Sequence, residues 1–227
     1  MANLLTVARV LLVFLVIAVW ARHRTVDNVW LDLAMVPLLA FAIFMDALDG
    51  WVARRLHEES KAGALFDIAG DRIVELALWT FFAIRRDESG DTYVSHWVPL
   101  VLIARTVLTD FVRSAAFEQG KTPFGRGDSA MQTSAWAREL TVSRWSRAVY
   151  GGLKAVTFCA LGLVLAWPYL RSSELGGKPR IVVDALVYAT VAFSVIRAIP
   201  VLWEGRRFIT SQSASPRQFD GIDPEAK

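Results

Sequence analysis

Apolar stretches of about twenty residues recur along this chain, and a stretch of that length can cross a bilayer as a helix. Helices of soluble domains instead carry a polar face alongside the apolar one. The composition agrees with a membrane environment, because 54% of the 227 residues are hydrophobic, whereas soluble domains contain about 45–50%. We therefore expect an all-α integral membrane protein.

Six stretches are candidate spans, which predicts a bundle of six transmembrane helices. They cover about 4–21, 29–53, 65–85, 95–117, 148–170 and 181–204. Lys and Arg are more numerous in the segments after spans two and four and in the tail than in the other linkers, so both termini are expected in the cytoplasm. The membrane domain is expected over 1–210, followed at 211–227 by a disordered cytoplasmic tail with few residues to bury.

The linker at 118–147 is about thirty residues long, which is unusual for a connection without structure of its own. Between Ala130 and Trp145, the apolar residues Met131, Trp136, Leu140, Val142 and Trp145 are mixed with Arg138 and Arg144. This pattern predicts a short amphipathic helix on the cytoplasmic face of the membrane. A disordered loop is the alternative.

Four aspartates lie at predicted membrane borders. Asp46 and Asp49 end the second apolar stretch, and Asp67 and Asp71 begin the third. An uncompensated charge near hydrocarbon costs about 2.5–3.5 kcal/mol or more, so such residues are candidates for function. Spacings of three and four residues place each pair on one helical face. A short turn between the two helices would bring all four carboxylates into one space on the cytoplasmic side.

Carboxylates so close together would repel one another unless a cation neutralised them. Oxygen ligands prefer hard ions, which indicates Mg²⁺, Mn²⁺ or Ca²⁺ rather than zinc. The neighbouring residues point to phosphate. Gly50 and Gly63 would let a ligand approach the backbone, Arg54 carries a guanidinium that can grip a phosphate, and Ser60 offers a hydroxyl.

Read in order, the motif is Asp46-x2-Asp49-Gly50-x2-Ala53-Arg54-x8-Gly63-x3-Asp67-x3-Asp71. It resembles the full signature of the CDP-alcohol phosphatidyltransferase family, with every fixed position and spacing kept. The N-terminal run Asn3-x2-Thr6-x2-Arg9 also resembles the stretch that precedes the first membrane helix in this family.

The resemblance implies an enzyme of phospholipid synthesis that transfers a phosphatidyl group from CDP-diacylglycerol to the hydroxyl of a small alcohol and releases CMP. It implies two divalent ions, Mg²⁺ or Mn²⁺, held by Asp46, Asp49, Asp67 and Asp71, with Asp71 also as the general base. The residues implied to bind the CDP-lipid are Asn3, Thr6, Asp49, Gly50, Ala53, Arg54, Ser60, Gly63 and Asp67. A homodimer in the bacterial inner membrane is expected.

The acceptor alcohol is expected to carry a phosphate, because several cations lie on spans four and five or between them. The predicted acceptor-binding residues are Arg105, Arg113, Lys121, Arg144 and Lys154. Arg105 and Arg113, followed by Gly120 and Lys121, resemble the fourth span of bacterial phosphatidylglycerophosphate synthases, which favours glycerol 3-phosphate. The run from Asp67 to Arg72 is more similar to relatives that accept inositol phosphate, so inositol phosphate is the alternative.

Two other classes of protein are alternatives to an enzyme, namely a transporter and a structural membrane protein. A cation-coupled transporter would also carry acids at membrane depth, but these acids lie at a border and the chain shows no internal repeat. A purely structural membrane protein would gain nothing from four costly carboxylates. A net charge of +3 gives no reason to expect a nucleic acid partner.

Overall fold

The computed structural model describes the backbone of residues 2–22, 29–56, 61–87, 90–122, 129–167, 170 and 178–212. Within these ranges, the side chains at 2–3, 46–56, 61–62, 64–65, 178 and 210–212 lie outside the description. The described residues form seven helices and two isolated β-bridges, with no strand among them. The helices are α1 (Ala2–Ala21), α2 (Val29–Leu56), α3 (Lys61–Ile84), α4 (Trp97–Glu118), α5 (Ala135–Val142), α6 (Arg144–Ala166) and α7 (Lys178–Gln212).

Six long helices correspond to the six predicted spans. Their ends agree with the prediction to within about four residues, except that α7 continues to Gln212, two residues into the predicted tail. The rest of that tail lies outside the described residues. By length and hydropathy, three described segments are apolar enough to cross a membrane: Leu4–Ala21, Arg144–Ala166 and Pro179–Ile209. The apolar part of α2, Val29–Met45, is shorter.

The first of two compact units comprises Met1–Ala104 and Arg147–Val195. Within it α1 packs against α2 and α3. Its core contains Val13, Val16 and Trp20 of α1 together with Trp79 and Phe82 of α3, all nearly inaccessible to solvent. Trp20 lies between the rings of α3 and Gly162, where an added Cβ would come within 2.5 Å of its indole. Large aromatic contacts therefore hold one end of α1 in place.

An ion pair also holds this end of α1. Arg22 follows the helix, and its Nη2 lies 3.2 Å from Oδ1 of Asp32 in the first turn of α2. The indole Nε1 of Trp20 donates a hydrogen bond of 3.1 Å to the Asp32 carbonyl. Asp32 is 4% exposed, so this is a buried carboxylate paired with an arginine at the C-terminal end of α1, thirteen residues after Arg9.

The second unit comprises Arg105–Ser146 and the described part of Ile196–Lys227. The predicted helix between Ala130 and Trp145 is present as α5, but it covers eight residues, Ala135–Val142. The side chain of Ser134 does not cap it. Glu204 of α7 does so instead, since its carboxylate accepts hydrogen bonds from the Thr133 N–H (2.8 Å) and from the Ser134 N–H and hydroxyl.

The other end of α5 is held by a second charged residue of α7. Nε of Arg197 donates to the Leu140 carbonyl over 3.1 Å, and Nη2 donates to the Thr141 carbonyl over 3.4 Å. Acid at a helix N-terminus and base at its C-terminus both complement the helix dipole. α5 is shorter than the predicted segment, since Ala130 forms a β-bridge with Thr122 and both Arg144 and Trp145 belong to α6.

Candidate active site

Two carboxylates lie one turn apart on α3. Asp67 and Asp71 have side chains that are 42% and 45% exposed, so both reach solvent while standing on a helix whose next turns are buried. The helical spacing predicted that the pair would share one face, and the structure confirms it through a common partner.

That partner is Arg9 of α1. Its Nη2 lies 2.8 Å from Oδ1 of Asp71 and 3.5 Å from Oδ1 of Asp67. Arg9 is 1% exposed, although it stands in the middle of an apolar helix. Burying a guanidinium is tolerated when carboxylates neutralise it and accept its hydrogen bonds. α1 therefore contributes a fixed positive charge directly beside the two acids.

A glycine allows this close approach of the two helices. An added Cβ at Gly70 would lie 2.5 Å from Cγ2 of Thr6 and 3.3 Å from Nη2 of Arg9. Thr6, which the family resemblance had assigned to the CDP-lipid site, is 2% exposed and packs against this glycine. Thr6 thus lies beside the carboxylates, one turn before Arg9.

The acidic face of α3 continues for another turn to Glu75. Its Oε2 lies 2.9 Å from Nζ of Lys154 on α6, and its Oε1 accepts a hydrogen bond of 2.7 Å from the hydroxyl of Tyr150. The Tyr150 oxygen is also 3.0 Å from Oγ of Ser194 on α7, and the Lys154 ammonium lies 4.7 Å from the Tyr150 ring centroid. Lys154, predicted to bind the acceptor, is thereby tied to the helix that carries Asp67 and Asp71.

The other predicted acceptor residues belong to the second unit. Arg113 of α4 lies 3.4 Å from Oδ1 of Asp110, three residues earlier, and Arg105 is half-buried on the same helix. Lys121 follows Gly120, which has a φ of +72° and ends α4 in the left-handed conformation that glycine adopts without strain. Arg144 is exposed at the start of α6.

Several predicted site residues lie wholly or partly outside the described residues. The side chains of Asn3, Asp46, Asp49, Gly50, Ala53 and Arg54 lie outside the description, although α1 and α2 include their backbones, and Ser60 lies outside the described residues altogether. Gly63 falls in the first turn of α3, where it was predicted to open that helix.

The described donors fit a hard divalent cation. Two half-exposed carboxylates one turn apart offer oxygen atoms, which are the ligands that Mg²⁺ and Mn²⁺ prefer. Among the residues that the structure describes, no third acid joins them in a group that could hold a metal ion. The other two predicted ligands, Asp46 and Asp49, have side chains outside the description, so Asp67 and Asp71 supply part of the chemistry that the predicted metal site needs.

Arg9 and Glu75 were not among the predicted site residues. Each of the two residues nonetheless has a feature in the sequence that could have identified it. Arg9 is a charge inside an apolar stretch, which requires a partner in a membrane protein. Glu75 follows Asp71 by four residues and so continues the spacing of Asp67 and Asp71 along one helical face.

Comparison with known proteins gives a family match and several relatives. The family model described as CDP-alcohol phosphatidyltransferase matches residues 1–196. A Pseudomonas fluorescens protein named CDP-diacylglycerol–glycerol-3-phosphate 3-phosphatidyltransferase is 29% identical over 194 residues, which cover 75% of this chain and 91% of the relative. A protein of the same name from Escherichia coli (strain K12) is 25% identical over 215 residues, covering 93% and 94%. The inner membrane protein YnbA of that strain is 25% identical over 119 residues, 48% of this chain and 54% of YnbA.

Proposed function

Because this chain belongs to the CDP-alcohol phosphatidyltransferase family, and is thus a phosphatidyltransferase of phospholipid synthesis, we propose that its substrates are CDP-diacylglycerol and glycerol 3-phosphate. The products are CMP and phosphatidylglycerol phosphate. The observation that carries the proposal is the pair Asp67 and Asp71 on one face of α3, held by a buried arginine. The names of the Pseudomonas and Escherichia relatives support the choice of acceptor.

In the proposed reaction, the acceptor hydroxyl oxygen attacks the phosphorus that bears the diacylglycerol. The bond between that phosphorus and the bridging oxygen breaks, so CMP leaves with the bridging oxygen. Asp71 accepts the proton of the acceptor hydroxyl. Arg9 holds the Asp71 carboxylate through Oδ1, which fixes the direction in which this base faces.

Divalent cations held by Asp46, Asp49, Asp67 and Asp71 would supply positive charge to the pyrophosphate oxygens and to the leaving CMP. Around them, Asn3, Thr6, Gly50, Ala53, Arg54, Ser60 and Gly63 form the proposed CDP-lipid site. Lys154, with Arg105, Arg113, Lys121 and Arg144, is proposed to bind the acceptor phosphate. We place this site on the cytoplasmic side of a six-span homodimer in the bacterial inner membrane.

The direct test is an assay of the purified protein in mixed micelles with CDP-diacylglycerol and Mg²⁺. Glycerol 3-phosphate, inositol phosphate and their unphosphorylated forms are compared as acceptors. We expect one CMP for each lipid product, a product mass equal to that of phosphatidylglycerol phosphate, and loss of turnover with EDTA. A product formed from inositol phosphate instead would overturn the acceptor assignment, and absence of CMP release would overturn the reaction.

Replacement of the proposed base tests the mechanism. Asp71→Asn removes the proton acceptor, so we expect kcat to fall by about 10²-fold or more while the protein remains folded. Asp184→Asn is a matched control, because Asp184 is a helical aspartate with a 40% exposed side chain that also pairs with an arginine, Arg180. Asp184→Asn should keep full turnover. Retained turnover in Asp71→Asn would contradict the assignment of the base.

A further inference from the structure

The contacts around Glu75 deepen the proposed function, on which this inference rests. We infer that Glu75, together with Tyr150, is a positioning residue that holds the ammonium of Lys154 in place for the phosphate of the acceptor. Glu75 acts through Lys154 and does not itself touch the substrate.

A buried pair of Glu75 and Lys154 is a costly arrangement in a membrane protein. Glu75 is 4% exposed and Tyr150 is 6% exposed, and both lie on long helices of a membrane protein. The attraction within a buried ion pair scarcely offsets the loss of water around both charges, so two apolar residues would hold α3 and α6 together at least as well. Packing therefore does not explain why a carboxylate and an ammonium meet here.

Lys154 is held on one side by Glu75 and Tyr150. An ammonium has three donors, and among the described residues Glu75 is the acceptor for one of them, while the face of the Tyr150 ring lies against the cation. The Lys154 side chain is 22% exposed, compared with 5% for Glu75. The buried groups Glu75 and Tyr150 thus hold Lys154 on its protein side. The Lys154 ammonium is the member of the network that a ligand can reach.

Glu75 lies close to the proposed base along α3. Glu75 stands four residues after Asp71, so the two side chains leave the same helical face about 5–6 Å apart. A phosphate held by Lys154 would lie within a small molecule's length of the proposed base. The phosphate and the hydroxyl of glycerol 3-phosphate are far enough apart to bridge such a gap. This fits an acceptor whose phosphate is held by Lys154 while its hydroxyl reacts beside Asp71.

The experiment compares Glu75→Gln, Lys154→Met and the double variant. Glu75→Gln keeps a hydrogen-bonding side chain of the same size, so the helices should still pack. We expect the KM for glycerol 3-phosphate to rise about tenfold, with kcat and the KM for CDP-diacylglycerol changed less than about twofold. Lys154→Met should raise the same KM at least as much. The double variant should be no worse than Lys154→Met, because Glu75 acts only through Lys154.

Two further variants separate positioning from stability. Glu75→Asp restores the charge and should recover most of the acceptor affinity. Asp32→Asn is the matched control, since Asp32 is equally buried at 4% and pairs with Arg22 at the C-terminal end of α1. It should lower the thermal unfolding midpoint without a selective rise in the acceptor KM. Equal changes in both KM values for Glu75→Gln, or a loss of stability with no change in KM, would overturn the inference.

Direct titration of each protein with glycerol 3-phosphate distinguishes this inference from the function it rests on. If the wild-type protein binds the ligand without turnover and Glu75→Gln weakens that binding, the proposed reaction fails and the positioning role stands. If the wild-type protein turns over and Glu75→Gln binds the acceptor as tightly, the positioning role fails and the reaction stands. Absence of both binding and turnover in the wild-type protein would overturn both.

Discussion

The 1% exposed Arg9 carries a full charge into the apolar interior of the first unit. Its two partners, Asp67 and Asp71, are half-exposed. The guanidinium is therefore the buried part of the cluster, and the carboxylates are the part that reaches solvent. Arg9 thus neutralises part of the negative charge before any other cation arrives, without closing the site to solvent.

Removing this charge should make the protein depend more strongly on metal. In Arg9→Gln without divalent ions, the two carboxylates lose their internal counter-charge, and we expect the stability to fall by about 1–3 kcal/mol. Addition of Mg²⁺ should then raise the unfolding midpoint by more than it does in the wild-type protein, because binding to the native state stabilises it. Thermal unfolding in detergent over a series of Mg²⁺ concentrations measures both effects.

Arg180→Gln provides the comparison. Arg180 pairs with Asp184 on α7 and donates to the Thr92 carbonyl. Its loss should leave the response to Mg²⁺ unchanged. A smaller Mg²⁺ response in Arg9→Gln than in the wild-type protein would contradict the role of Arg9 as an internal counter-charge.

Sequence spacing predicted the shared face of Asp67 and Asp71, because helical geometry relates residues four apart. The sequence also placed Lys154 among the predicted acceptor-binding residues, because it is a cation on a predicted span. It did not connect Arg9 with Asp71, or Glu75 with Lys154, because these contacts join residues 62 and 79 positions apart in the chain. Only the packing of α1 and α6 against α3 brings such partners together.

At the scale of helices, the contact between α1 and α3 sets the geometry of the site. Gly70 stands where the two helices come closest, and any side chain there would press on Thr6 and Arg9. The helix tolerates glycine at a cost of about 1 kcal/mol relative to alanine. The close approach explains why the site retains it.

Alanine substitutions should therefore have opposite effects at two helical glycines. Gly70→Ala should destabilise the protein by about 1–3 kcal/mol through overpacking and should reduce turnover as Thr6 and Arg9 are displaced. Gly152→Ala on α6 meets nothing within 4 Å, so it should leave turnover unchanged and stabilise the helix by up to about 1 kcal/mol. Unfolding midpoints and rates of CMP release measure these two effects. A Gly70→Ala variant with unchanged stability and turnover would contradict the tight contact between α1 and α3.

The long helices could be predicted from apolar runs alone, since each run is long enough to cross a bilayer. The limits of α5 could not. Its local pattern extends from Ala130 to Trp145, but the helix begins after Ser134 and ends at Val142. Glu204 and Arg197 bind the backbone at those ends, and both lie more than fifty residues further along the chain, so the local pattern does not reveal these contacts.

At the scale of the whole molecule, the described residues contain six long helices, but only three of their segments are clearly apolar enough to cross a membrane. Among the described residues, α3 and α4 are not apolar enough by hydropathy and charge to count as membrane spans on their own. Both helices carry charged residues, among them Asp71, Glu75, Arg105 and Arg113. Such helices cross a membrane when their polar faces meet protein rather than lipid. The proposed six-span topology therefore depends on α1, α6 and α7 as the lipid-compatible framework.

Single-cysteine labelling tests this topology. Cys159 is the one cysteine of the sequence, so Cys159→Ser gives an unreactive background. Ser95→Cys between α3 and α4 and Glu139→Cys on α5 are both at exposed positions. Six spans with cytoplasmic termini predict that a membrane-impermeant maleimide labels Ser95→Cys in intact cells after outer-membrane permeabilisation. It should label Glu139→Cys only in inverted vesicles, and the reverse pattern would contradict the topology.

The pairing of Arg9 with Asp67 also has a consequence for biosynthesis. During translation α1 emerges first, and the earliest of the two carboxylates follows Arg9 by 58 residues. At about 5–20 residues per second, the ribosome needs roughly 3–12 s to supply it. In that interval the guanidinium must remain at the membrane surface or in the insertion machinery, so α1 can settle fully only once α3 has been made.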